Sequence, residues 1–502
     1  MDAHLADAHR PRSQETEPAP SPRAGSEGAA RSESIVPLVV ALDGTLVSTN
    51  MLAESCLVFA KAKPLQLFRL PFWLARGRAW FKRRLAMEAM PDLATLPYNS
   101  ELLAFLKAQK QAGRQLVLAT GADAAVARGV AQVLGLFDTV LASDGATNLT
   151  GQRIRDRLVL EFGEKGFDYA GSAERDGDIW QAARKAILVG PTAALRKIAT
   201  RTYDVDRVFE APSPGAMAHL HALRPHHWFK SGLVFLPLLV THQLYDASKF
   251  LHAVLAFGAV SLCASSVYLL NDLLDLPDDR RHPHKKNRML ASGQLPVGRA
   301  LVMTPLLLLG AALASVAQPP QFLAVIALYF VLMLAYCLRL RDFGGWDVLT
   351  LAVGYSLRVV AGGVAESIEA SIWLLTSCFF LFLGLALLKR YAEMVTIRSL
   401  RGLEGRVRAY AVADSGLVAL YGGFSTSIAL LPLAIHLAIE RPLHARYELA
   451  WICLALLMFW LARMWLLAGR GYIRIDPVAF ALTDRVSRTV GILMALTMLI
   501  AT

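Results

Sequence analysis

In the stretch NDLLDLPDDRRHPHKKNR, residues 271–288, acidic and then basic groups crowd between two long apolar runs. Asn271, Asp275 and Asp279 are spaced four apart, which stacks them along one face of a helix. Three oxygens so placed suit Mg²⁺, a hard cation usually held by a few carboxylates together with substrate phosphates. Asp272 stands among them as a further catalytic acid. The run that follows, with Arg280, His282, Lys285 and Arg288, supplies charge for those phosphates. Carboxylates at the end of a membrane span are costly unless they pair or hold a metal. A solvated loop with ordinary positive-inside bias would explain the cations, but not a carboxylate row at helical spacing.

Further ionisable groups recur at the ends of other apolar runs. LRPHHWFK brings Arg224, His227 and Lys230, and YCLRLRDFGGWD brings Tyr336, Arg339 and Asp347. Arg358 lies within one run, Lys389 ends the next, and Arg463 lies inside a later one. Taken singly, each reads as a topology determinant or a snorkelling anchor. Arg358 and Arg463 sit within apolar sequence and need a partner.

The elements that must position these groups are apolar helices. Apolar residues make up 55% of the 502, and mean hydropathy is +0.41, but the apolar content is concentrated after about residue 222. Nine apolar segments are expected there, at roughly 231–247, 250–270, 298–317, 321–338, 347–365, 371–390, 413–437, 447–469 and 486–502, several near the length that crosses a bilayer. Lys and Arg concentrate in alternate loops, which places those loops and the amino-terminal half in the cytoplasm and the chain in a bacterial-type inner membrane. The net charge of +12 is thereby explained by topology, membrane lipids and anionic substrates rather than nucleic acid. Five scattered cysteines show no metal or disulfide spacing and read as apolar fillers.

The first half reads as soluble. Residues 1–33, polar and rich in Ala, Pro and Ser, are expected to form a disordered tail. Strands follow at IVPLVVAL, 115–119, 139–142, near Tyr169 and at 186–189. Helical patterns lie between them at 100–112, 124–136 and 179–185. Such alternation indicates an α/β Rossmann-like, doubly wound parallel sheet with its site at the carboxyl ends of the strands. The domain is expected over 34–200, a helical cap over about 52–90, and a linker over 201–222. The interleaved aromatic and basic residues of 52–86 fit both a cap and a helix resting on an anionic membrane.

The strand ends resemble the haloacid dehalogenase-like phosphatases. The first motif of that superfamily, DxDGT, reads Ala41-Leu42-Asp43-Gly44-Thr45 here. The resemblance implies that the first Asp attacks phosphate and binds metal, and Ala41 occupies that position. Asp43 matches the general acid/base and Thr120 the second-motif hydroxyl. Arg153, Arg155 or Lys165 would be the third-motif cation. In the fourth motif Ser172 stands where an Asp is common, and Asp176 remains as a metal ligand. Without a nucleophile, aspartyl-phosphate chemistry cannot proceed by the usual route. The alanine reflects either loss of activity in the lineage, which Ser172 supports, or a substitution that traps substrate, which the otherwise intact motif supports.

The second half, residues 223–502, resembles the UbiA-type prenyltransferase superfamily, and within it the decaprenyl-phosphate 5-phosphoribosyltransferase branch. The residues that carry this are LRPHHWFK, the NDxxDxxxD pattern, the following R-x-H-P-x-K and YxLxLR near Asp347. The family's second aspartate-rich motif is reduced here mainly to Asp347. The resemblance implies a Mg²⁺-dependent transfer of 5-phosphoribose from phosphoribosyl diphosphate to a polyprenyl (decaprenyl) phosphate. It further implies that a competent fused phosphatase would remove the 5-phosphate of the lipid-linked product. Two other readings are prenyl transfer from a prenyl diphosphate to an aromatic or other small acceptor, and a non-catalytic membrane scaffold.

Overall fold

A computed structural model describes residues 36–210, 220–241, 243–282, 285–401, 405–439, 449–473 and 476–501. The expected tail at 1–33 lies outside them, as do most of the expected linker and Pro283 of the R-x-H-P-x-K motif.

Six parallel strands form the amino-terminal sheet: β1 (Leu38–Ala41), β2 (Leu116–Asp123), β3 (Thr139–Ser143), β4 (Asp168–Gly171), β5 (Ala186–Val189) and β6 (Val205–Phe209). Their order is β3-β2-β1-β4-β5-β6. Central β1 reads LVVA because both of its faces are covered, and such strands are continuously apolar. Leu38 and Val40 pack into one apolar cluster, and Val39 into another on the opposite face. Pairing of β1 with both β2 and β4 makes the ends of these three strands the switch point where ligands of open α/β sheets bind.

Three helices cross over beyond β1 as the cap: α1 (Met51–Ala62), α2 (Arg69–Ala75) and α3 (Arg78–Glu88). The remaining helices of this domain are α4 (Ser100–Gln111), α5 (Ala124–Leu134), α6 (Gln152–Phe162), α7 (Gly177–Ala182) and α8 (Ala193–Thr202). Two sequence expectations are corrected here. The domain does not end at 200, because β6 pairs with β5 through Phe209. Its sequence, VDRVF, mixes charge into an edge strand, which masks the apolar signal. Helix α6 was also not foreseen. Three arginines alternate through its first two turns and mask the helical pattern, but Ile154 and Leu158, four apart, bury its inner face.

The second half is helical. Seven helices are long and apolar enough to cross a membrane among the described residues, not the nine expected. The first of the nine segments instead holds a 3₁₀ stretch, Pro225–Phe235, followed by the five-residue α9 (Leu236–Val240). Pro237, in the first turn of α9, has no amide hydrogen with which to continue helical hydrogen bonding from the stretch before it. After it come α10 (Ala247–Leu274), α11 (Leu276–Arg281), α12 (Val297–Ser315), α13 (Pro320–Leu338), α14 (Trp346–Glu366), α15 (Ile372–Arg401), α16 (Ser415–Ile439) and α17 (Ala450–Gly469). The short α18 (Pro477–Thr483) precedes the last expected segment, which becomes the 17-residue α19 (Arg485–Ala501), too short to count as a span.

Helix α10 packs against α12, α13 and α14. It buries Ala253, Ala256, Ala259, Ser261, Ala264, Ser265 and Ser266, the small residues that let membrane helices approach closely. Gly362 of α14 is required by the same closeness, since a Cβ there would lie 2.0 Å from the Val234 carbonyl oxygen. Leu306, Leu309, Leu313, Leu328 and Val331 face outward, as lipid-facing positions must.

The α/β domain depends on one buried charge cluster. Asp168 on β4 accepts bonds from Arg114 and from Arg184 at 2.9 and 3.0 Å, and Arg114 is itself buried. Asp168→Ala strands that guanidinium, so it should destabilise the domain by about 3–5 kcal/mol. The check is faster amide exchange across β1, β4 and β5 in the variant.

Candidate functional site

The acidic stretch straddles a break in the backbone. Helix α10 ends at Leu274, Asp275 takes φ −92° and ψ 2°, and α11 restarts with Pro277 in its first turn. The carboxylates therefore divide into two groups, each gathered by arginine. Arg341 Nη1 donates to Asn271 Oδ1 at 2.9 Å and to Asp275 Oδ2 at 2.6 Å, while its Nη2 reaches Asp275 Oδ1 at 2.5 Å. Arg288 Nη1 donates to Asp272 at 3.1 Å and to Asp279 at 2.6 Å, and Arg224 adds two bonds to Asp272. Burial pushes Asp275 up, but Arg341 and Lys61 outweigh it and hold the carboxyl below its ordinary range.

The structure thus brings Asn271 and Asp275 together and turns Asp279 towards Asp272, where a straight helix would have stacked all three. Among the described residues no three of His, Cys, Asp and Glu converge tightly enough to hold a metal ion by themselves. Two hard oxygens meeting on one guanidinium nitrogen do suit a cation that takes its remaining ligands from phosphates. Asn271 and Asp275 fit Mg²⁺ on that basis, with Arg341 standing where the metal charge would act.

A wall of cations and aromatic rings continues from this point. Arg224 lies over the Tyr268 ring, 5.9 Å from its centroid, and His227 packs on the same ring at 5.1 Å. Burial and the cations of Lys230, His226 and Arg224 lower His227 to about 3, so it is a neutral ring and not a phosphate-binding charge at physiological pH. Arg358 donates to Tyr329 Oη at 2.7 Å and shares the Tyr355 ring with Lys230. Lys230 and Lys389 both donate to Asp476 Oδ2, at 3.3 and 3.2 Å. Asp347 is fully buried between Arg390 and Tyr410, and Arg463 finds its partner in Asp484.

Several sequence-designated residues stand apart from this wall. Arg339 is exposed, and Arg341, two positions on, makes the contacts instead. Tyr336 accepts a bond from Arg408. Arg280 is spent on Glu54 of α1, bonded through both Nη atoms at 3.1 and 2.7 Å. His282 is exposed, and Lys285 reaches Asp279 only at 4.0 Å. Asp476 is a site residue that sequence reasoning missed, because no local signal links it to lysines so distant in sequence.

A second site lies in the α/β domain, a cavity of about 550 Å³ at the ends of β1, β2 and β4 under the cap. Ala41, Asp43, Thr120 and Asp176 line it as the motifs require. Asp43 Oδ1 accepts from the Met51 amide at 2.8 Å, and burial raises its pKa above the ordinary carboxylate value despite that bond and the nearby Arg175 and Lys82. Asp176 is likewise raised by burial, while it accepts from the Ser172 and Ala173 amides.

None of the three cations proposed from sequence serves this cavity. Arg153 points to the Asn148 carbonyl oxygen, Arg155 pairs with Asp156 and Glu164, and Lys165 donates to the carbonyl oxygens of Gln181 and Ala183. Lys82, from cap helix α3, enters instead and donates to the Gly121 carbonyl oxygen and Asn148 Oδ1 at 2.5 and 2.8 Å. Arg175 joins it on the cavity wall.

Comparison with known proteins adds to this geometry. Residues 234–483 match the UbiA prenyltransferase family, and residues 39–165 match haloacid dehalogenase-like hydrolase. The chain is 33% identical to protein y4nM of Sinorhizobium fredii over 465 residues, covering 92% of this chain and 90% of that protein. It is 36% identical over 190 residues to decaprenyl-phosphate phosphoribosyltransferase of Corynebacterium glutamicum, covering 37% of this chain and 57% of that one. A UbiA homolog from Archaeoglobus fulgidus, solved bound to DMAPP and Mg²⁺, is similar at 16% identity and a TM-score of 0.45, covering 56% of this chain and 96% of that one.

The cavity assignment has a direct consequence. A charge-assisted hydrogen bond is worth about 1.5–3 kcal/mol, so Lys82→Met should weaken inorganic phosphate binding by roughly tenfold or more. Arg153→Met should leave it unchanged. Calorimetric titration of the full chain with phosphate measures both.

Proposed function

The chain belongs to the UbiA prenyltransferase family, as a membrane transferase with a haloacid dehalogenase-like domain fused ahead of it, and from that premise we propose that it moves 5-phosphoribose from phosphoribosyl diphosphate onto a polyprenyl phosphate. One observation carries the reading: Asn271 and Asp275 converge on a single cation beside a wall of lysine and arginine. The similarity to decaprenyl-phosphate phosphoribosyltransferase over 190 residues supports the choice of donor. The basic loops and the α/β domain would face the cytoplasm, as positive-inside bias favours.

Asn271 and Asp275 would hold Mg²⁺, which offsets the charge that builds on a departing diphosphate. Arg341, released from Asp275, is then free to bond phosphate oxygens bidentately. Lys230, Lys389 and Arg358 form the side of the wall that would hold the acceptor phosphate. An oxygen of that phosphate forms the new bond to the ribosyl carbon as the carbon–diphosphate bond breaks. The acceptor is already an anion, so no general base is required. The tyrosines between the cations keep the wall apolar enough for a polyprenyl chain to lie against it.

The fused domain keeps the surroundings of a phosphatase site and lacks its attacking carboxylate. We read it as binding phosphoesters without turning them over. Wild-type protein should release no phosphate from p-nitrophenyl phosphate in Mg²⁺, and Ala41→Asp should gain release; failure of that gain would count against a site once able to react.

For the transferase, radiolabelled phosphoribosyl diphosphate and prenyl diphosphate should be offered side by side with polyprenyl phosphate and aromatic acceptors. Label is expected to enter lipid from the phosphoribosyl donor alone, and Asp275→Asn should slow it by roughly 100-fold or more. Incorporation only from prenyl diphosphate would overturn the donor assignment in favour of aromatic prenylation. Incorporation from neither would favour a scaffold.

A further inference from the structure

The acidic stretch cannot hold its own shape. Asp275 has left helical geometry, and Pro277 supplies no amide hydrogen to the turn that follows. Asn271 and Asp272 therefore ride on α10, whereas Asp278 and Asp279 ride on the six-residue α11 beyond a bend. A helix this short has little stability of its own. Something outside it must fix where its carboxylates point.

The fused domain makes the contacts that do so. Cap helix α1 lays Lys61 across the bend, 3.3 Å from Asp275 Oδ1 and 2.7 Å from Asp278 Oδ2. Two turns earlier, Glu54 receives both Nη atoms of Arg280, and Thr49 Oγ1 donates to the same carboxylate at 2.7 Å. The Glu54 and Arg280 side chains are 2% and 5% exposed, so this pair is sealed from water. Arg280 also donates to the Ala291 carbonyl oxygen, and Arg281 next to it bonds Asp92 of the α/β domain at 2.6 Å. Leu57 of α1 packs with Leu269, Leu273 and Leu276, apolar neighbours on both sides of the bend.

The same helix begins at the other site. Asn50 caps it, Met51 donates its amide to Asp43, and Asn50, Met51 and Ser55 line the cavity. One twelve-residue helix thus has its first turn in the phosphatase-like cavity and its last turn on the transferase carboxylates.

We infer that α1 is a positioning element of the transferase site, in which Glu54 and Lys61 hold α11 and the bend before it so that Asp275 faces the diphosphate donor. The role of the α/β domain is then kept without a nucleophile, since nothing in the brace needs one. The inference deepens the donor reading above and rests on it only for the kinetic half of its test.

The test uses the full chain in nanodiscs and reads two quantities. The first is amide exchange of residues 276–281, which is independent of the substrate. The second is KM and kcat for phosphoribosyl diphosphate. Glu54→Gln should speed exchange in that segment at least tenfold and raise KM about tenfold, with kcat changed less than threefold. Lys61→Met, at a partly exposed position that does not endanger folding, should raise KM without loss of protein, and Lys61→Arg should restore it. The charge swap Glu54→Arg with Arg280→Glu should return protection and KM towards wild type. Unchanged exchange and KM in Glu54→Gln and Lys61→Met would overturn the inference, as would a swap that folds but restores neither. Exchange that responds as expected in a protein that never uses phosphoribosyl diphosphate would sink the donor reading and leave the brace standing.

Discussion

Everything at the membrane-domain face depends on balancing charge that has been taken out of water. An unpaired carboxylate or guanidinium there would cost about 3–5 kcal/mol, a large part of the marginal stability of a fold. The chain answers by pairing: Asp272 and Asp279 with Arg288, Asp275 with Arg341, Asp347 with Arg390, Asp476 with Lys230 and Lys389, and Asp484 with Arg463. The partners of Asp275, Asp347 and Asp476 come from segments far apart in sequence, so their pairing also fixes which helix ends lie together. The small residues of α10 allow the close helix packing. The ion pairs set its register at the polar end.

The repeating features of the chain were legible, and the partnerships were not. Strands Ala186–Val189 and Thr139–Ser143 stood out as short apolar runs, and the cap followed from its place after the first strand. Strand Val205–Phe209 escaped because charged residues interrupt it at a sheet edge. Helix Gln152–Phe162 escaped because its two buried residues are outnumbered by arginines. Counting apolar residues overstated the spans, because it does not register that Pro237 breaks the 231–247 segment. At the site, the acidic row was plain from spacing, but spacing assumes an unbroken helix. The bend at Asp275 redistributes the row, sending Asp279 to Asp272's side. No local signal separates Arg339 from Arg341, or Lys165 from Lys82. Which cation reaches a site is decided by tertiary packing.

The two sites show different relations between a motif and its use. In the α/β cavity, Asp43, Thr120 and Asp176 line the wall together with Ala41, and in the proposed reading Ala41 stands where the attacking carboxylate would be. The cation arrives from the cap through Lys82, so the arrangement of charge around a phosphate is preserved by residues outside the motifs. A site of this kind can still recognise an anion, because recognition needs donors and cations whereas turnover needs the nucleophile as well.

In the membrane domain the pairing itself has a chemical consequence. Each arginine that neutralises a carboxylate at rest is also the best available partner for a phosphate, because its planar fork matches either group. A diphosphate entering beside Arg341 therefore competes with Asp275 for the same guanidinium. If the arginine turns to the phosphate, the carboxylate is left with Lys61 alone at 3.3 Å, and the balance at this buried face fails unless another cation arrives. Asn271 and Asp275 supply the two oxygens that would then be free to hold a divalent cation, whose charge would offset that of the carboxylate and of a phosphate beside it. In the proposed reading, donor and metal would each be better accommodated in the presence of the other. The bend and the brace from α1 are what keep those two oxygens facing the same point while that exchange takes place.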